Sequence, residues 1–241
     1  MSRTILRCGL GIVAMATALP ASASAQNLVA NGDFEAGNSD FTSSYTYSPA
    51  NGYPADTYTV ANNPKGWNGN FVKAGDHTSG SGLMMIVNGS GTANSVVWQS
   101  APIAIDGLSN YFFEAFVMNA YPSNPPMLTF TVSLDGGAEQ VLNTLTVPNS
   151  TGIWNGLSTS FNAGGATSAS LYLRNAQTAF SGNDFAVDDI YLGTQSIVNP
   201  GGVPEPATWA MMIIGFGMVG GALRRRAAMH AGLRKLTFSN S

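Results

Sequence analysis

Residues 128–137 read Leu-Thr-Phe-Thr-Val-Ser-Leu-Asp-Gly-Gly. Apolar and small polar side chains alternate through the first seven positions, so an extended chain there has one apolar face and one polar face. The pair Asp135-Gly136 that follows is a strong short-range signal for a β-hairpin turn. The stretch therefore predicts a half-buried strand that turns back on itself, which is the unit of an antiparallel sheet.

The same pattern recurs along most of the chain. Asn-Gly, Asp-Gly and Gly-Gly pairs separate the alternating segments, and no long stretch has helical periodicity. Many short strands with frequent turns in a domain of this length predict an all-β fold, an antiparallel β-sandwich of the jelly-roll type. The predicted strands are residues 82–87, 95–99, 111–119, 128–134, 141–147, 158–161, 168–174 and 185–192.

Three further motifs stand at the start, the middle and the end of this region. They are Asn31-Gly32-Asp33-Phe34-Glu35, the loop Gly75-Asp76-His77-Thr78-Ser79-Gly80, and Phe185-Ala186-Val187-Asp188-Asp189-Ile190. Their order and spacing resemble the galactose-binding-like jelly rolls, the superfamily that holds many carbohydrate-binding modules. The resemblance implies that the first and last strands come together, often around a structural calcium ion.

Four carboxylates in the opening and closing motifs are candidate calcium ligands. Asp33 and Glu35 share a face if the opening motif is a regular strand, because side chains alternate with a period of two. By the same rule Asp188 and Asp189 point to opposite faces, one into the polar end of the sandwich and the other into water. Glu35 with one of these aspartates and backbone carbonyls would make the oxygen cage that calcium prefers. The alternative is that the carboxylates cap turns or face solvent.

Aromatic residues in polar, loop-like sequence are the candidate ligand-binding residues. Trp67 lies between two turn-forming stretches and next to Asn68 and Asn70. Tyr53 and Tyr58 lie in a stretch that is rich in turn-forming residues. Exposed rings stack on the C–H faces of sugars, and amides bond to hydroxyl groups, so these five residues predict a carbohydrate site. The alternative is that the loop aromatics pack over the open end of the sandwich.

The charge balance excludes one class of partner. Residues 26–202 hold three basic and twelve acidic residues, a formal net charge of −9, whereas the whole chain has −3. Such a surface repels phosphate backbones, so nucleic acid is not an expected partner. Cys8 is the only cysteine in the chain and precedes this region, so disulfides do not stabilise it.

The sequence shows no catalytic constellation. His77 is the only histidine of residues 26–202, and it lies in a Gly- and Ser-rich turn with Asp76 placed to orient it. A nucleophile elbow, a zinc pattern and the E-x-D-x-x-E motif of jelly-roll glycosidases are all absent from the sequence. We therefore expect a non-catalytic protein, with a glycan-active enzyme as the weaker alternative.

The C-terminal part follows a different pattern. Residues 207–223 carry no charge, and a helix of this length spans about 26 Å, close to the ~30 Å hydrocarbon core of a bilayer. The arginines that follow place the C-terminal side in the cytoplasm by the positive-inside rule. The pattern predicts a single transmembrane helix at 207–223 and a cytoplasmic tail at 227–241. A plain C-terminal membrane anchor is the alternative.

The motifs in this tail resemble the PEP-CTERM sorting signal in its PEPxxWA form. They are Pro204-Glu205-Pro206, Trp209-Ala210, and Arg224-Arg225-Arg226. The resemblance implies a Gram-negative bacterium that makes exopolysaccharide, and processing by exosortase, a membrane-embedded cysteine transpeptidase. The same signal is also labelled an ice-binding protein C-terminal domain, but this sequence has no regular Thr-x-Thr array that would match ice.

The N-terminus has the pattern of a signal peptide. Arg3 and Arg7 make a positive segment, residues 8–19 are mostly apolar, and Ala23-Ser24-Ala25 is a small-residue cleavage site. The predicted organisation is a signal peptide at 1–25, a sandwich at 26–198, a linker at 199–203, a sorting signal at 204–226 and the tail at 227–241.

These features together predict where the protein goes and what it does. We expect export through the inner membrane, a transient or retained single-pass anchor, and then the cell surface or the extracellular matrix. The sandwich is expected to bind carbohydrate, either an exopolysaccharide or a cell-envelope glycan, without catalysis. The alternative is a structural matrix or adhesion domain with no small ligand.

Overall fold

The computed structural model describes residues 26–179, 181–200, 212–221 and 224 of the chain. Contacts divide the chain after Val198 into two units. In the second unit, residues 212–221 are helical. Within the described ranges, no helix is both long and apolar enough to cross a membrane. The predicted signal peptide, most of the sorting signal, the tail and the remaining part of the 207–223 span lie outside the described residues.

The described part of the first unit is a β-sandwich of two six-stranded sheets. Its elements are β1 (Phe41–Thr42), β2 (Thr46–Tyr47), β3 (Thr57–Ala61), α1 (Pro64–Trp67), β4 (Met84–Asn88), β5 (Val96–Ser100), β6 (Ile103–Ala104), β7 (Asn110–Asn119), β8 (Met127–Leu134), β9 (Gln140–Thr146), β10 (Trp154–Asn162), β11 (Ser168–Asn175) and β12 (Phe185–Gly193). The first sheet has the order β1-β5-β11-β8-β9, with β6 beside β11, and the second has the order β10-β7-β12-β4-β3-β2. All pairs of strands are antiparallel except β2–β3.

The prediction of an antiparallel β-sandwich is confirmed. Each predicted strand overlaps an observed one, and most of their ends agree within two residues; the exception is β10, which begins four residues before the predicted 158. Four short strands, β1, β2, β3 and β6, were not predicted. The hairpin after β8 is present, with φ of 48° at Asp135 and 70° at Gly136, the left-handed pair that a type I′ turn requires.

The core lies between the two sheets and follows the period of two. In β8, Leu128, Phe130 and Val132 are fully buried in the core, whereas the alternate side chains of the strand are polar. Trp98 of β5 is also fully buried. A second, smaller apolar cluster lies on the outer face of the second sheet, where residues 62–83 cross β4, β7 and β12. That crossing segment carries part of the candidate site.

The opening motif is not a strand, which corrects the prediction for Asp33 and Glu35. Residues 28–36 form turns, and Phe34 is buried with a left-handed φ of 56°. A left-handed residue between the two acids breaks the period-two geometry, so they do not share the face of a strand. The segment nevertheless lies along β12, because the Leu28 amide donates to the Leu192 carbonyl (2.8 Å) and the Ile190 amide donates to the Gly32 carbonyl (2.8 Å).

The closing strand is irregular at its two aspartates. The pairing of β12 with β7 shifts register between Asp188 and Tyr191, and Asp189 has a left-handed φ of 46°. Asp188 is fully buried and Asp189 is partly exposed. The prediction that their side chains point to opposite faces is wrong, because both carboxylates contact the loop at His77 and Thr78. The bulge turns Asp189 out of the regular alternation.

Candidate functional site

A cleft of about 280 Å³ opens beside the second sheet, where four loop segments meet. The loop between β2 and β3 forms one wall, and the segment after α1 forms the floor. The chain after β7 and the residues before β12 form the opposite wall. The lining residues are Tyr53, Ala55, Asn68, Asn70, Phe71, Asn88, Tyr121, Ser181, Gly182 and Asp184.

Two amides hold the β2–β3 loop against this floor. Asn68 Nδ2 donates to the Gly52 carbonyl (2.8 Å), and Asn88 Nδ2 donates to the carbonyls of Gly52 (2.8 Å) and Tyr53 (3.0 Å). Gly52 itself lies on the Trp67 indole, and a Cβ at this position would collide with the ring. The loop therefore has a fixed path, and it places the Tyr53 side chain at the cleft with 63% of its surface exposed.

Trp67 is not the exposed ring that the sequence predicts. The indole is 8% exposed, its Nε1 donates to the Ser48 carbonyl (2.7 Å), and it packs against Phe71 in the second apolar cluster. The short helix α1 explains this inward orientation: Asn63 caps its N-terminus, Pro64 begins it and Trp67 ends it. Trp67 supports the floor of the cleft from below.

Two other residues that were predicted to bind the ligand make contacts within the protein instead. Asn68 is 3% exposed, and its Oδ1 accepts the Asn70 amide (3.0 Å). The hydrogen bonds of its side chain therefore stabilise the floor of the cleft. Tyr58 is 6% exposed in β3, packs in the core and donates to Asn38 Oδ1 (2.9 Å). Tyr58 is absent from the cleft lining, because the short strand β3 turns its ring inward.

The cleft thus joins predicted residues to others that sequence reasoning missed. Tyr53 and Asn70 are exposed and line it, as the carbohydrate-site hypothesis requires. Tyr121, Asn88 and Asp184 were not predicted. Two of these carry a sequence signal: Tyr121 lies in a Pro-rich loop, and Asp184 belongs to the Gly-Asn-Asp turn before the closing strand.

Asp184 is the charged group of the cleft. It is 7% exposed, and its Oδ1 accepts the buried Gly89 amide (2.9 Å). No second donor from the described residues reaches its carboxylate. Burial raises the pKa of Asp184 to about 6, because the ionised form is poorly solvated there.

A larger groove of about 490 Å³ lies across β1, β5 and β11. Its lining includes Asp40, Thr42, Gln99 and Ser170, and its one aromatic residue, Phe41, packs against the core. A sugar site needs an exposed ring beside polar groups. The smaller cleft has that composition and the groove does not, so we take the cleft as the candidate site.

The four predicted metal ligands do not converge in one cage. Asp188 accepts the amides of His77 (2.8 Å) and Thr78 (3.3 Å), and burial followed by the charge of Asp189 raises its pKa to about 7. Asp33 accepts a long bond (3.4 Å) from the Glu35 amide. Among the residues that the structure describes, no group of three or more His, Cys, Asp or Glu side chains is arranged to hold a metal ion.

A smaller acidic pair does face a common point. Glu35 accepts the Leu83 amide (2.8 Å), and Asp76 accepts the Gly82 amide (2.6 Å). A Cβ on Gly82 would collide with Glu35 Oε1 and lie 3.2 Å from Asp76 Oδ2, so both carboxylates approach the same position. Both carboxylates also accept backbone amides, and together they would supply only part of the roughly six to eight oxygen ligands that calcium takes. The pair retains the predicted Glu35 and replaces the closing aspartates with Asp76.

His77 is a hydrogen-bonded loop residue. Its ring stacks on Phe116 with 3.6 Å between the ring centroids, and its Nδ1 lies 2.6 Å from Asp189 Oδ2. Asp76 does not orient it, because the Asp76 carboxylate bonds to Ser79 and Gly82 instead. The histidine therefore helps to fix residues 75–82 on the outer face of the second sheet.

Comparison with known families identifies the C-terminal segment. Residues 202–226 match the model of the PEP-CTERM protein-sorting motif, so the chain carries that motif at its C-terminus. The motif implies export, processing by exosortase and sorting to the cell surface. No curated protein matches the chain.

The β-sandwich is similar in fold to carbohydrate-binding modules, including members of families 4, 16, 22 and 61. One similar structure is the CBM22-1–GH10 part of Clostridium thermocellum xylanase 10B with xylohexaose (17% identity, 68% of this chain, 28% of that chain, TM-score 0.44). A second is the module TmCBM61 with β-1,4-galactotriose (15% identity, 70% of this chain, 99% of that chain, TM-score 0.43). A third is arabinose-bound MgGH51 α-L-arabinofuranosidase (14% identity, 72% and 27%, TM-score 0.49). The chain spans less than a third of the xylanase and arabinofuranosidase structures.

Proposed function

We propose that this surface-sorted protein binds carbohydrate without catalysis, and that the cleft at Tyr53, Tyr121 and Asp184 is its binding site. The ligand is a sugar residue of an exopolysaccharide or a cell-envelope glycan. The observation that carries the proposal is the composition of the cleft, in which two tyrosines, the exposed amide of Asn70 and one buried carboxylate line a single open space.

Each group in the cleft has a role in holding a sugar. A tyrosine ring covers the C–H face of a pyranose, and an amide both donates to and accepts from hydroxyl groups. The carboxylate of Asp184 accepts hydroxyl protons in charge-assisted bonds, which are stronger than bonds between neutral groups. The rigid attachment of the β2–β3 loop by Asn68 and Asn88 supports binding, because little conformational freedom is lost when the ligand enters.

Replacement of Tyr53 with alanine tests the site. We expect retention on immobilised glycans that the parent protein binds in a glycan array to weaken about tenfold, the loss of roughly 1–1.5 kcal/mol of ring contact. The matched control is Tyr47→Ala, because Tyr47 is 42% exposed and lies outside the cleft lining. Equal binding by the Tyr53 variant and the parent would exclude this cleft as the site. A parent protein that binds no glycan would instead support a structural matrix or adhesion domain.

The sorting tail makes a second prediction. We propose that residues 207–223 form the single membrane helix before exosortase acts, and that the mature protein in its native host lacks residues 224–241. Mass spectrometry of the surface and extracellular fractions should find no peptide that ends at Ser241. A host without exosortase should retain the intact chain in the inner membrane. Recovery of the complete C-terminus outside the native cell would contradict processing.

We propose that Glu35 and Asp76 help to hold a structural calcium ion, and this proposal gives a third prediction. A ligand at 100 times its dissociation constant stabilises a protein by about 2.7 kcal/mol, so chelation should lower the melting temperature of the purified protein. Glu35→Ala should remove the difference between the chelated and calcium-loaded samples. Asp33→Ala is the matched control and should retain it. Identical melting curves of the parent protein with calcium and with chelator would rule out a stabilising site.

A further inference from the structure

The cleft contains a carboxylate that the protein leaves incompletely bonded. Asp184 is 93% removed from solvent by the fold, yet within the described residues only the Gly89 amide donates to it. A carboxylate offers about four lone-pair positions, and a buried acceptor without donors is costly. Because Asp184 lines the cleft, a ligand there can reach acceptor positions that the described residues leave open.

Within the described part of the first unit, no cation balances this charge. Residues 26–202 hold three basic side chains, and none of the three lines the cleft. Lys65 Nζ donates to the Gly69 carbonyl (3.2 Å), Lys73 lines a different depression, and Arg174 pairs with Glu139 beside the first sheet. Asp184 is the one charged side chain in the cleft lining, so it is the charge that a bound ligand meets most closely.

From this geometry we propose that the cleft selects uncharged sugar residues and excludes uronic acids and other anionic sugars. The proposal rests on the carbohydrate-binding function proposed above and names its ligand class. A neutral sugar directs hydroxyl donors to the free acceptor positions of Asp184. A sugar carboxylate in the same position brings a like charge against Asp184, and the two negative charges repel each other.

The size of the cleft limits how many sugar rings can bind in it. Its volume of about 280 Å³ lies at the lower limit of the roughly 300–1,000 Å³ of ordinary small-molecule sites. A space of this size suits one or two sugar rings rather than a long stretch of polymer. The cleft therefore recognises a short part of the glycan, such as a chain end or a side branch, through Tyr53, Tyr121 and Asp184.

Matched oligosaccharide pairs test the charge selection on the purified protein. Each pair consists of an oligo-uronate (galacturonate, glucuronate or mannuronate) and the same oligosaccharide after reduction of its carboxyl groups to hydroxymethyl groups. At about pH 7.5 the Asp184 carboxyl is ionised, because burial raises its pKa only to about 6. We expect the reduced member of every bound pair, and the neutral glycans of an array, to bind at least about tenfold more tightly than the acidic member.

A charge-removing variant, a control variant and a lower pH distinguish Asp184 from other possible causes of the discrimination between acidic and neutral sugars. Asp184→Asn keeps an acceptor for the Gly89 amide and removes the charge, so discrimination within pairs should disappear. Asp56→Asn is the control, because Asp56 is an exposed acid outside the cleft lining, and it should retain the discrimination. Should Asp184→Asn fail to fold, the parent protein at about pH 5 provides the test. Burial raises the pKa of Asp184 to about 6, so its carboxyl is then mostly protonated while the sugar carboxylate stays ionised, and the discrimination should shrink.

The outcomes distinguish this inference from the proposed function. Equal or tighter binding of the acidic members overturns the charge selection and leaves carbohydrate binding intact. Discrimination that survives in the Asp184→Asn variant also overturns it, because another group would then supply the selection. Absence of binding to every pair and to the array overturns the proposed function and this inference together.

Discussion

Replacement of Trp67 with alanine is expected to destabilise the protein by about 3–5 kcal/mol, the usual cost of removing a buried tryptophan. The indole is 8% exposed, fills the second apolar cluster with Phe71 and donates to the Ser48 carbonyl. Its loss leaves a cavity below Gly52 and an unpaired carbonyl. Because a domain of this size has a total stability of about 5–15 kcal/mol, chemical denaturation should detect the change directly.

The matched control for this prediction is Tyr53→Ala, which removes an exposed ring from the same region. We expect its unfolding free energy to stay within about 0.5 kcal/mol of the parent value, because surface substitutions rarely cost more. A Trp67 variant that unfolds like the parent but no longer binds glycans would restore the sequence prediction that this indole contacts the ligand. The pair of variants thus separates a supporting role from a binding role within one loop cluster.

The sandwich could be predicted because its signal is local. The polar face of β8 is buried as well, so the half-buried strand expected from the sequence is not observed. The alternation of Leu128, Phe130 and Val132 with polar residues nevertheless fixes which face enters the apolar core, and Asp135-Gly136 fixes the turn. These features need no knowledge of the rest of the chain. The short strand β3 was missed because turn-forming residues such as Pro54 and Asn62 flank it on both sides, and their signal favoured a loop.

The site could be predicted only in part, because it is made by long-range contacts. Tyr53 and Asn70 have loop-like neighbours in the sequence, and both line the cleft. Asp184 reaches it from a position 131 residues beyond Tyr53, through the pairing of β12 with β4. The orientation of Trp67 depends on the Asn63 cap and on the apolar outer face of β4, and neither is visible in the local pattern.

The opening motif shows another reason why a prediction from the sequence was wrong. The period-two rule applied to Asp33 and Glu35 assumes extended backbone, but Phe34 adopts a left-handed conformation in order to place its ring in the core. Tertiary packing of one aromatic ring therefore overrides the local geometry. The resemblance to galactose-binding-like folds correctly implied that the opening segment lies along the closing strand, although it did not imply the turn.

Glu114 is a second buried group whose role the sequence does not reveal. It lies on the outer face of β7 with 0% exposure, under the segment 194–198, which we name the strap. Its carboxylate accepts the hydroxyls of Ser158 and Ser196 (2.5 Å each). The Ile197 amide (2.6 Å) and the Val198 amide (3.2 Å) also donate to it. The strap is therefore bound at the point where the first unit ends.

Gly156 completes this attachment from the neighbouring strand β10. A Cβ at Gly156 would lie 2.7 Å from Val198 Cγ1, so the strap passes as close to β10 as the backbone allows. The close approach shields Glu114 from water, and the four donors compensate for the desolvation of its charge. The stability of the strap consequently depends on one carboxylate.

Replacement of Glu114 with leucine should release the strap and cost about 3–4 kcal/mol. The variant fills a similar volume but offers no acceptor, and each hydrogen bond to a charged group contributes about 1.5–3 kcal/mol before the freed donors regain water. Hydrogen exchange should show faster exchange of the Ile197 and Val198 amides, and limited proteolysis should cleave within 194–198. Glu114→Gln should give an intermediate loss, since its amide oxygen still accepts some of the four donors.

The control for the strap is Glu139→Gln, which removes a charge from an exposed acid paired with Arg174 on the other sheet. An exposed pair contributes at most about 1 kcal/mol, and Glu139 has no contact with the strap. Protection of Ile197 and Val198 should therefore be unchanged in that variant. Unaltered amide protection in the Glu114→Leu variant would mean that the close packing at Gly156 and the apolar contacts of Val198 hold the strap without the carboxylate. Burial of Glu114 would then be an energetic cost that the fold tolerates, and the carboxylate would not be what attaches the strap.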